Sequence, residues 1–256
     1  MSLKKAFTLS ISGKGGSGKT TIAALLLKNL IKSGEKDVLL IDADPASNVP
    51  NVLGIEMEGN MTLGMILDKK KRELESSSQP YIKLLEGEIW ENIIEQDGFD
   101  VLVMGRPEDE GCYCIIENFA AVIIDSLAKL YDFVMIDFDA GFEHISRRVD
   151  RAADVLLITT DPSKMGFETA RRIVKLVEKI NISFKDIYLI GNEFNEELGK
   201  KLFDLSKEIG IKYGGIIPYD QNIVEFNLRG RPLIDIPGDS PAVKAAKKIF
   251  KTIFQE

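Results

Sequence analysis

The residues best suited to chemistry form one glycine-rich stretch, Gly13 to Thr21, with the sequence GKGGSGKTT. Gly13, Gly18, Lys19 and Thr20 match the phosphate-loop pattern G-x-x-x-x-G-K-[ST]. In such a loop, backbone N–H groups point at phosphate oxygens and the following helix N-terminus adds partial positive charge. The lysine neutralises the β- and γ-phosphates, and the hydroxyl can hold Mg²⁺. The stretch therefore predicts a site for a nucleoside triphosphate.

A glycine-rich turn without nucleotide is the weaker interpretation, because lysine and threonine at these positions serve no turn geometry. The predicted nucleotide-binding residues of the loop are Gly13, Gly15, Gly16, Ser17, Gly18, Lys19, Thr20 and Thr21.

A phosphate loop needs a strand before it and a helix after it, and the sequence supplies both. Phe7 to Ile11 is an apolar run, and the apolar residues of Ile22 to Leu30 recur at helical spacing. Further apolar runs alternate with helical patterns along the chain, at Val38–Ile41, Val101–Met104, Phe133–Ile136, Val155–Thr159, Ile187–Ile190 and Gly214–Ile217. This alternation predicts one three-layer α/β domain of the P-loop NTPase class over residues 1–256, with a mainly parallel sheet of about seven strands. Residues 54–98 lack the pattern, so we expect an irregular helical insertion there.

Carboxylates follow two of the predicted strands. Asp42 and Asp44 come after Val38–Ile41, and Asp137 comes after Phe133–Ile136. In open α/β sheets, ligands bind at the carboxyl ends of the strands, where Asp137 would bind Mg²⁺ directly or through water. An aspartate before proline, as at Asp44, often only initiates a turn. Both interpretations of Asp44 therefore stay open.

Composition limits the classes of partner and the cellular locations that can be expected for this chain. The chain has 256 residues, with 33 basic and 40 acidic side chains and a net charge of −7. This balance argues against general nucleic-acid binding, so we expect no nucleic-acid partner. No secretory signal precedes the phosphate loop, and no apolar run approaches the length of a membrane span. We expect a cytoplasmic protein.

The C-terminal segment, residues 240–254, is amphipathic and basic. Such a helix can lie on a membrane surface or pack on its own domain. Because no flexible linker precedes it, we expect docking on the domain and regard membrane binding as the weaker alternative.

Two cysteines, Cys112 and Cys114, precede the predicted helix Ile115–Leu130. A helix N-terminus stabilises thiolate, and thiolate binds soft metals. One C-x-C supplies two ligands, whereas two copies at a two-fold interface would supply the four that structural zinc requires. A pair of small buried thiols is the alternative. The lone histidine, His144, excludes a multi-histidine metal site within one chain.

Lys14, beside Gly15 and Gly16, gives the loop the form K-G-G-x-G-K-T, which resembles the deviant Walker A motif of the MinD/ParA/nitrogenase iron-protein group. The resemblance implies an ATP-dependent homodimer in which Lys14 reaches the nucleotide of the partner subunit. It implies catalytic roles for Lys14 and Lys19 and an attacking-water role for Asp44. The Mg²⁺ ligands that it implies are Thr20, Asp42 and Asp137.

The same resemblance implies how the base is bound. Asn192 stands where the family has an asparagine that contacts the base, and Pro218 begins a segment that resembles the loop beside the base. Glu193 replaces the usual following lysine, so no guanine motif N-K-x-D is formed. The expected nucleotides are therefore ATP and ADP.

The cysteine region resembles the CooC-type ATPases, which assist nickel insertion into carbon monoxide dehydrogenase. The resemblance rests on Gly111–Cys114, Glu117-Asn118, Ala140–His144 and Gly215–Tyr219. It implies Ni²⁺ or Zn²⁺ shared across the dimer by Cys112 and Cys114, with carbon monoxide dehydrogenase or a related nickel enzyme as partner. Two alternatives stay open. One is a MinD/ParA-like positioning or partitioning ATPase switch, and the other is an ATPase that carries an iron–sulfur cluster bridged by four cysteines.

Overall fold

The computed structural model describes residues 6–34, 37–57, 59, 61–76, 87–106, 126–127, 129–139, 154–180 and 183–254. Cys112, Cys114 and His144 lie outside these residues.

The described residues contain an eight-stranded sheet. Its strands are β1 (Phe7–Gly13), β2 (Val38–Ala43), β3 (Ile94–Gln96), β4 (Phe99–Val103), β5 (Phe133–Phe138), β6 (Val155–Thr160), β7 (Asp186–Asn192) and β8 (Lys212–Ile217). The order across the sheet is β3-β4-β2-β5-β1-β6-β7-β8. Every neighbouring pair is parallel except β3 and β4, which are antiparallel.

Helices cover both faces of this sheet. They are α1 (Lys19–Ser33), α2 (Asn48–Leu53), α3 (Leu63–Ser76), α4 (Lys164–Ile180), α5 (Glu196–Glu208), α6 (Gln221–Leu228) and α7 (Pro241–Phe254). Residues 87–91 are also helical, and Leu233–Asp235 forms a 3₁₀ turn.

The predicted fold class is confirmed, and the sheet has one strand beyond the seven that the apolar runs indicated. The seven parallel strands are those expected from the apolar runs, and the eighth is β3. It has three residues, of which only Ile94 is buried, and it pairs with β4 through a tight turn at Gly98, whose φ is +85°. A run this short carries no periodicity, so the sequence pattern predicted only helices over residues 54–98.

The core lies in two layers, one on each face of the sheet. Along β2, Val38 and Leu40 pack with the residues of α1 and α7, whereas Leu39 and Ile41 pack with those of α3, α4 and α5. Burial on both faces explains why the parallel strands are continuous apolar runs. The same arrangement gives the expected three layers.

Helix α7 docks on the domain, as the sequence favoured. It packs on α1 and β8, and its buried residues are Ala242, Val243, Ala246, Ile249, Phe250 and Ile253. Phe254 lies 5.0 Å from Phe7 between ring centroids. Among the helices of the described ranges, none is long and apolar enough to cross a membrane.

One buried carboxylate, Asp220, joins the start of α6 to the start of α7. Its Oδ1 accepts from the Asn222 N–H at 2.9 Å, and its Oδ2 accepts from the Ala242 N–H at 2.9 Å and from the Ser240 hydroxyl. Burial raises the pKa of Asp220, but these hydrogen bonds outweigh it and hold the pKa below its usual range. The segment that follows β8 is thereby fixed to the final helix.

We predict that Asp220→Ala lowers the free energy of unfolding by about 2–4 kcal/mol, because two helix N-termini lose an acceptor and the buried donors are left unpaired. Urea unfolding followed by circular dichroism measures this. Asp239→Ala, at an exposed position of the same segment, is the matched control and should cost less than about 0.5 kcal/mol. Equal losses in both variants would contradict the role given to Asp220.

Candidate functional site

The carboxyl ends of the parallel strands bring the predicted chemical residues to one edge of the sheet. Asp42 on β2 is directly paired in register with Asp137 on β5, and Ile11 on β1 pairs with Asp137 on its other side. The phosphate loop leaves β1 two residues after Ile11. The loop and both carboxylates therefore occupy adjacent strand ends.

Two glycines of the loop are required by close packing. A Cβ at Gly13 would lie 2.3 Å from the Thr159 carbonyl oxygen, and one at Gly18 would lie 2.2 Å from Asn192 Nδ2. Gly18 also has φ of +84°, in the left-handed region that favours glycine. The loop is thus pressed against the ends of β6 and β7, where a side chain would not fit.

A buried hydroxyl pair holds the inner side of the loop. Ser17 Oγ lies 2.8 Å from Thr159 Oγ1, and Thr159 Oγ1 also donates to the Ser12 carbonyl at 3.3 Å. The Ser17 N–H donates to the Lys14 carbonyl at 3.1 Å. Ser17 therefore supports the loop from inside. Thr159 was not predicted as a site residue, and its only sequence signal is its place at the end of a buried strand.

The outer side of the loop is open. Within the described part of the chain, no atom lies within 4 Å of where a Cβ on Gly15 or Gly16 would be. Lys19 is buried, and its Nζ donates to the Lys14 carbonyl at 3.4 Å, so its ammonium spans the loop. Thr21 is half-buried in the first turn of α1. This shape can receive phosphate oxygens on backbone N–H groups at a helix N-terminus.

Thr20 and Asp137 are in direct contact beneath the loop. The Thr20 hydroxyl donates to Asp137 Oδ2 at 2.6 Å. The other oxygen, Asp137 Oδ1, is buried and has no hydrogen-bond partner among the described residues. Burial raises the pKa of Asp137 to about 6, although the Thr20 hydrogen bond and the Lys19 charge act in the opposite direction. A buried carboxylate oxygen without a hydrogen-bond partner is suited to bind a cation or a proton.

Asp42 is fully buried beside Asp137. Burial raises its pKa to about 7, and the neighbouring charge of Asp137 adds to this effect. Its two oxygens accept from the backbone N–H groups of Val49 at 2.9 Å and of Asp44 at 3.1 Å. Asp42 therefore holds the segment that follows β2 against the site.

Asp44 takes part in a turn. Its Oδ1 accepts from the Ala46 N–H at 2.8 Å, and its carbonyl accepts from the Ser47 N–H at 2.9 Å. The turn-initiating alternative for Asp44 is thus present in the structure. Its charge also raises the pKa of Asp137.

These residues fit Mg²⁺ bound with a nucleotide. The fit rests on the unpartnered oxygen of Asp137, on the Thr20 hydroxyl, and on two buried carboxylates whose charged forms are disfavoured without a cation. Mg²⁺ in nucleotide sites is typically held by one or two carboxylates together with the phosphates. Within the described ranges, no group of three or more His, Cys, Asp or Glu side chains suited to a metal occurs.

Lys14 is bound by a residue that the sequence did not single out. Its Nζ donates to Asp161 Oδ2 at 2.6 Å, and the Ser163 hydroxyl donates to Asp161 Oδ1 at 2.5 Å. Burial raises the pKa of Asp161, but these two partners outweigh it and hold the pKa below its usual range. The sequence feature that could have indicated Asp161 is its position directly after β6, at the same edge of the sheet as the phosphate loop.

Asn192 and Pro218 lie next to the far side of the loop. Asn192 ends β7 beside Gly18 and pairs in register with Ile217, the residue before Pro218. Glu193 has φ of +60°, which turns the chain sharply after the strand. The two predicted base-contacting positions are therefore neighbours at the strand ends.

Comparison with known proteins agrees with this arrangement. The family model described as the CobQ/CobB/MinD/ParA nucleotide binding domain matches residues 9–233. The chain is 40% identical over 252 residues to an uncharacterized ATP-binding protein of Methanocaldococcus jannaschii, covering 97% of this chain and 98% of that protein.

Two further matches concern proteins with named functions. The chain is 28% identical over 247 residues to the carbon monoxide dehydrogenase accessory protein CooC of Rhodospirillum rubrum, covering 92% of this chain and 91% of that protein. The solved structure of the Pyrococcus furiosus cell division ATPase MinD matches with a TM-score of 0.73 at 23% identity, covering 98% of this chain and 99% of that one. At that identity the structural likeness shows the fold alone.

We predict that Asp137→Asn raises the free energy of unfolding of the nucleotide-free and Mg²⁺-free protein at pH 7.5 by about 1–3 kcal/mol. The amide oxygen still accepts from Thr20, while the buried charge is removed. The native pKa of about 6 lies above the usual 3.8, so the cost of this charge grows as the pH rises through that interval and is complete above it. The gain should therefore vanish near pH 4.

Denaturant unfolding at the two pH values measures the difference, with Asp204→Asn as the control. Asp204 is exposed on α5, so its variant should differ little from the original chain at either pH. A stabilisation of Asp137→Asn that is equal at pH 4 and pH 7.5 would show that the buried charge is not its cause.

Proposed function

The chain belongs to the CobQ/CobB/MinD/ParA nucleotide-binding family and is an ATP-binding switch ATPase of the MinD/ParA type; we propose that it acts as a dimerising maturation ATPase that assists nickel insertion into carbon monoxide dehydrogenase or a related nickel enzyme. The observation that carries this proposal is the cysteine pair Cys112 and Cys114 in a chain that aligns with CooC over 247 residues. Thiolates at this spacing from two subunits would form a four-sulfur site for Ni²⁺ or Zn²⁺.

In this proposal the phosphate loop binds ATP or ADP through backbone N–H groups of residues 13–21. Asn192 and Pro218 lie beside the adenine. Thr20, Asp137 and Asp42 hold Mg²⁺, which would neutralise charge on the β- and γ-phosphates. Lys19 is buried in the loop and adds a fixed positive charge there.

Asp44 is the residue proposed to orient the attacking water. Its backbone N–H donates to Asp42, and its charge raises the pKa of Asp137. A carboxylate at the edge of the metal site can accept a hydrogen bond from water and orient it for attack on the γ-phosphate.

Lys14 is proposed to act on the nucleotide of the partner subunit. In a single chain its ammonium is held by Asp161, but both side chains are partly exposed, at 33% and 25%. An ion pair with this exposure contributes at most about 1 kcal/mol. Lys14 can therefore leave Asp161 at small cost when a partner offers a phosphate group.

The proposed coupling between nucleotide and metal follows from shared geometry. The trans position of Lys14 and the pairing of four cysteines would both require one arrangement of the two subunits. Ligands that favour the same state increase each other's affinity by the same factor. ATP should therefore tighten Ni²⁺ or Zn²⁺ binding, and the metal should tighten ATP binding.

We predict that Lys14→Ala lowers the ATP hydrolysis rate by about 10²–10³-fold, because charge that develops on the transferring phosphoryl group loses a cation. Its free energy of unfolding should change by less than about 1 kcal/mol, since the ion pair with Asp161 is partly exposed. Phosphate release and urea unfolding measure the two effects. Lys200→Ala, at an exposed position of α5, should leave both unchanged. Full hydrolysis by Lys14→Ala would exclude the catalytic role.

We predict about one Ni²⁺ or Zn²⁺ per dimer for the reduced protein with non-hydrolysable ATP, and none for Cys112→Ser/Cys114→Ser, because serine does not replace the thiolate ligands. Metal analysis combined with sedimentation mass measures both. His144→Ala is the control and should retain the metal. Nucleotide-driven dimers without cysteine-dependent metal would contradict the maturation role and favour a MinD/ParA-like positioning switch. A coloured protein after anaerobic reconstitution would indicate an iron–sulfur cluster instead.

A further inference from the structure

A basic cavity lies at the end of α1 that is remote from the phosphate loop. It has a volume of about 250 Å³ and lies between the last turns of α1 and one side of α7. Its lining residues are Lys28, Asn29, Lys32, Ser33, Gly238, Val243, Lys247, Phe250 and Lys251. Because α1 rises 1.5 Å per residue, Lys32 lies about 20 Å along the helix from Lys19. The cavity is therefore separate from the nucleotide site.

The charge of this cavity is opposite to that of the whole chain. Among the described residues that line it, four of nine are lysines and none is acidic, whereas the chain carries a net charge of −7. Two of the lysines come from α1 and two from α7. Like charges that converge from two helices repel one another, and a bound anion would offset this repulsion.

One of these lysines is buried. Lys28 is 7% exposed, and its Nζ donates to the Ile234 carbonyl. Burial and the nearby charge of Lys32 lower the pKa of Lys28, while Asp235 acts in the opposite direction. The ammonium is held at a fixed position in the wall of the cavity rather than extended into water.

The helix dipole explains only part of this pattern. Lysines in the last turn of a helix stabilise its carboxyl end, which accounts for Lys32 on α1 and Lys251 on α7. It does not account for Lys28, which is buried one turn earlier and bonded to a different element. Nor does it explain why lysines of both helices line a single cavity.

We propose that this cavity binds a phosphate group that carries two or more negative charges. Several lysine ammonium groups give the strong charge-assisted hydrogen bonds that phosphate oxygens accept. The cavity is smaller than the about 300 Å³ at which pockets for drug-sized ligands begin, so it suits a phosphate or diphosphate group rather than a whole nucleotide. Val243 and Phe250 give it an apolar floor. The group can come from a free phosphate compound or from a phospholipid headgroup.

Calorimetric titration with inorganic pyrophosphate tests the proposal, using the full chain with its nucleotide site saturated by ADP. The original protein should bind pyrophosphate, and Lys247→Gln/Lys251→Gln should bind it about tenfold or more weakly. Both lysines are exposed on α7, so their replacement should leave the fold intact, and circular dichroism checks this.

The matched control is Lys244→Gln/Lys248→Gln. It makes the same charge change at the same spacing on the same helix, at exposed positions that do not line the cavity. It should bind pyrophosphate as the original protein does. If both double variants bind pyrophosphate equally weakly, the binding reflects general attraction between pyrophosphate and the basic helix. If both bind as tightly as the original protein, pyrophosphate binds at another site. Either result, or no pyrophosphate binding by the original protein, would overturn the proposal.

A second arm distinguishes the source of the phosphate. Vesicles of equal parts phosphatidylglycerol and phosphatidylcholine are sedimented with each protein, and vesicles of phosphatidylcholine alone are the reference. Binding to the anionic vesicles that is lost only in Lys247→Gln/Lys251→Gln would support a headgroup as the ligand. Pyrophosphate binding without vesicle binding would support a free phosphate compound. Neither arm involves the cysteines or ATP hydrolysis, so its outcome is independent of the maturation role.

Discussion

The site depends on one buried negative charge, the carboxylate of Asp137 at the end of β5. Strands β1 and β2 flank β5, so this carboxylate is kept from water by the two strands that also carry the phosphate loop and Asp42. Thr20 satisfies one of its oxygens and leaves the other without a partner among the described residues. A carboxylate in this position is costly until a cation or a proton joins it. The buried charge therefore lowers the stability of the nucleotide-free chain, and Mg²⁺ bound with a nucleotide would restore that stability.

The conformation of the phosphate loop depends on close contacts that leave no space for a side chain at two of its glycines. Gly13 and Gly18 lie against Thr159 and Asn192, the ends of two strands on the opposite side of β1 from Asp137. Helix α1 begins at the loop and is buried along most of its length between the sheet and α7. Close-packed elements transmit displacement rather than absorb it. A movement of the phosphate loop would therefore displace the ends of β6 and β7 and the core residues around α1.

The features that could be predicted from the sequence are those with a local pattern. The features that could not be predicted arise from contacts between residues far apart in the chain. The parallel strands and the phosphate loop are visible as apolar runs and a spaced motif, and the ends of the neighbouring strands β2 and β5 place Asp42 beside Asp137. Asp161 and Thr159 lie more than 140 residues from the loop residues that they contact, so no local pattern indicates them. Strand β3 is too short to show alternation. The lysine cavity arises only when α7 packs on α1, since the lysines of either helix alone resemble an ordinary solvated face.

The two kinds of charge at the site suit different parts of a switch. Asp42 and Asp137 are buried and fixed, so the stability of the folded chain responds strongly when a cation or a proton binds to them. Lys14 and Asp161 are partly exposed, so their pairing is weak and can be exchanged for another partner. A switch needs both properties: a strong response to the nucleotide within one chain and a low cost for turning a side chain toward a second chain. In the proposed dimer, the buried carboxylates would supply the strong response to the nucleotide, and the weak pairing of Lys14 with Asp161 would keep the cost of turning Lys14 low. Little of the free energy of ATP binding would then be needed to break an internal contact. Most of it would be available to bring the cysteine pairs together.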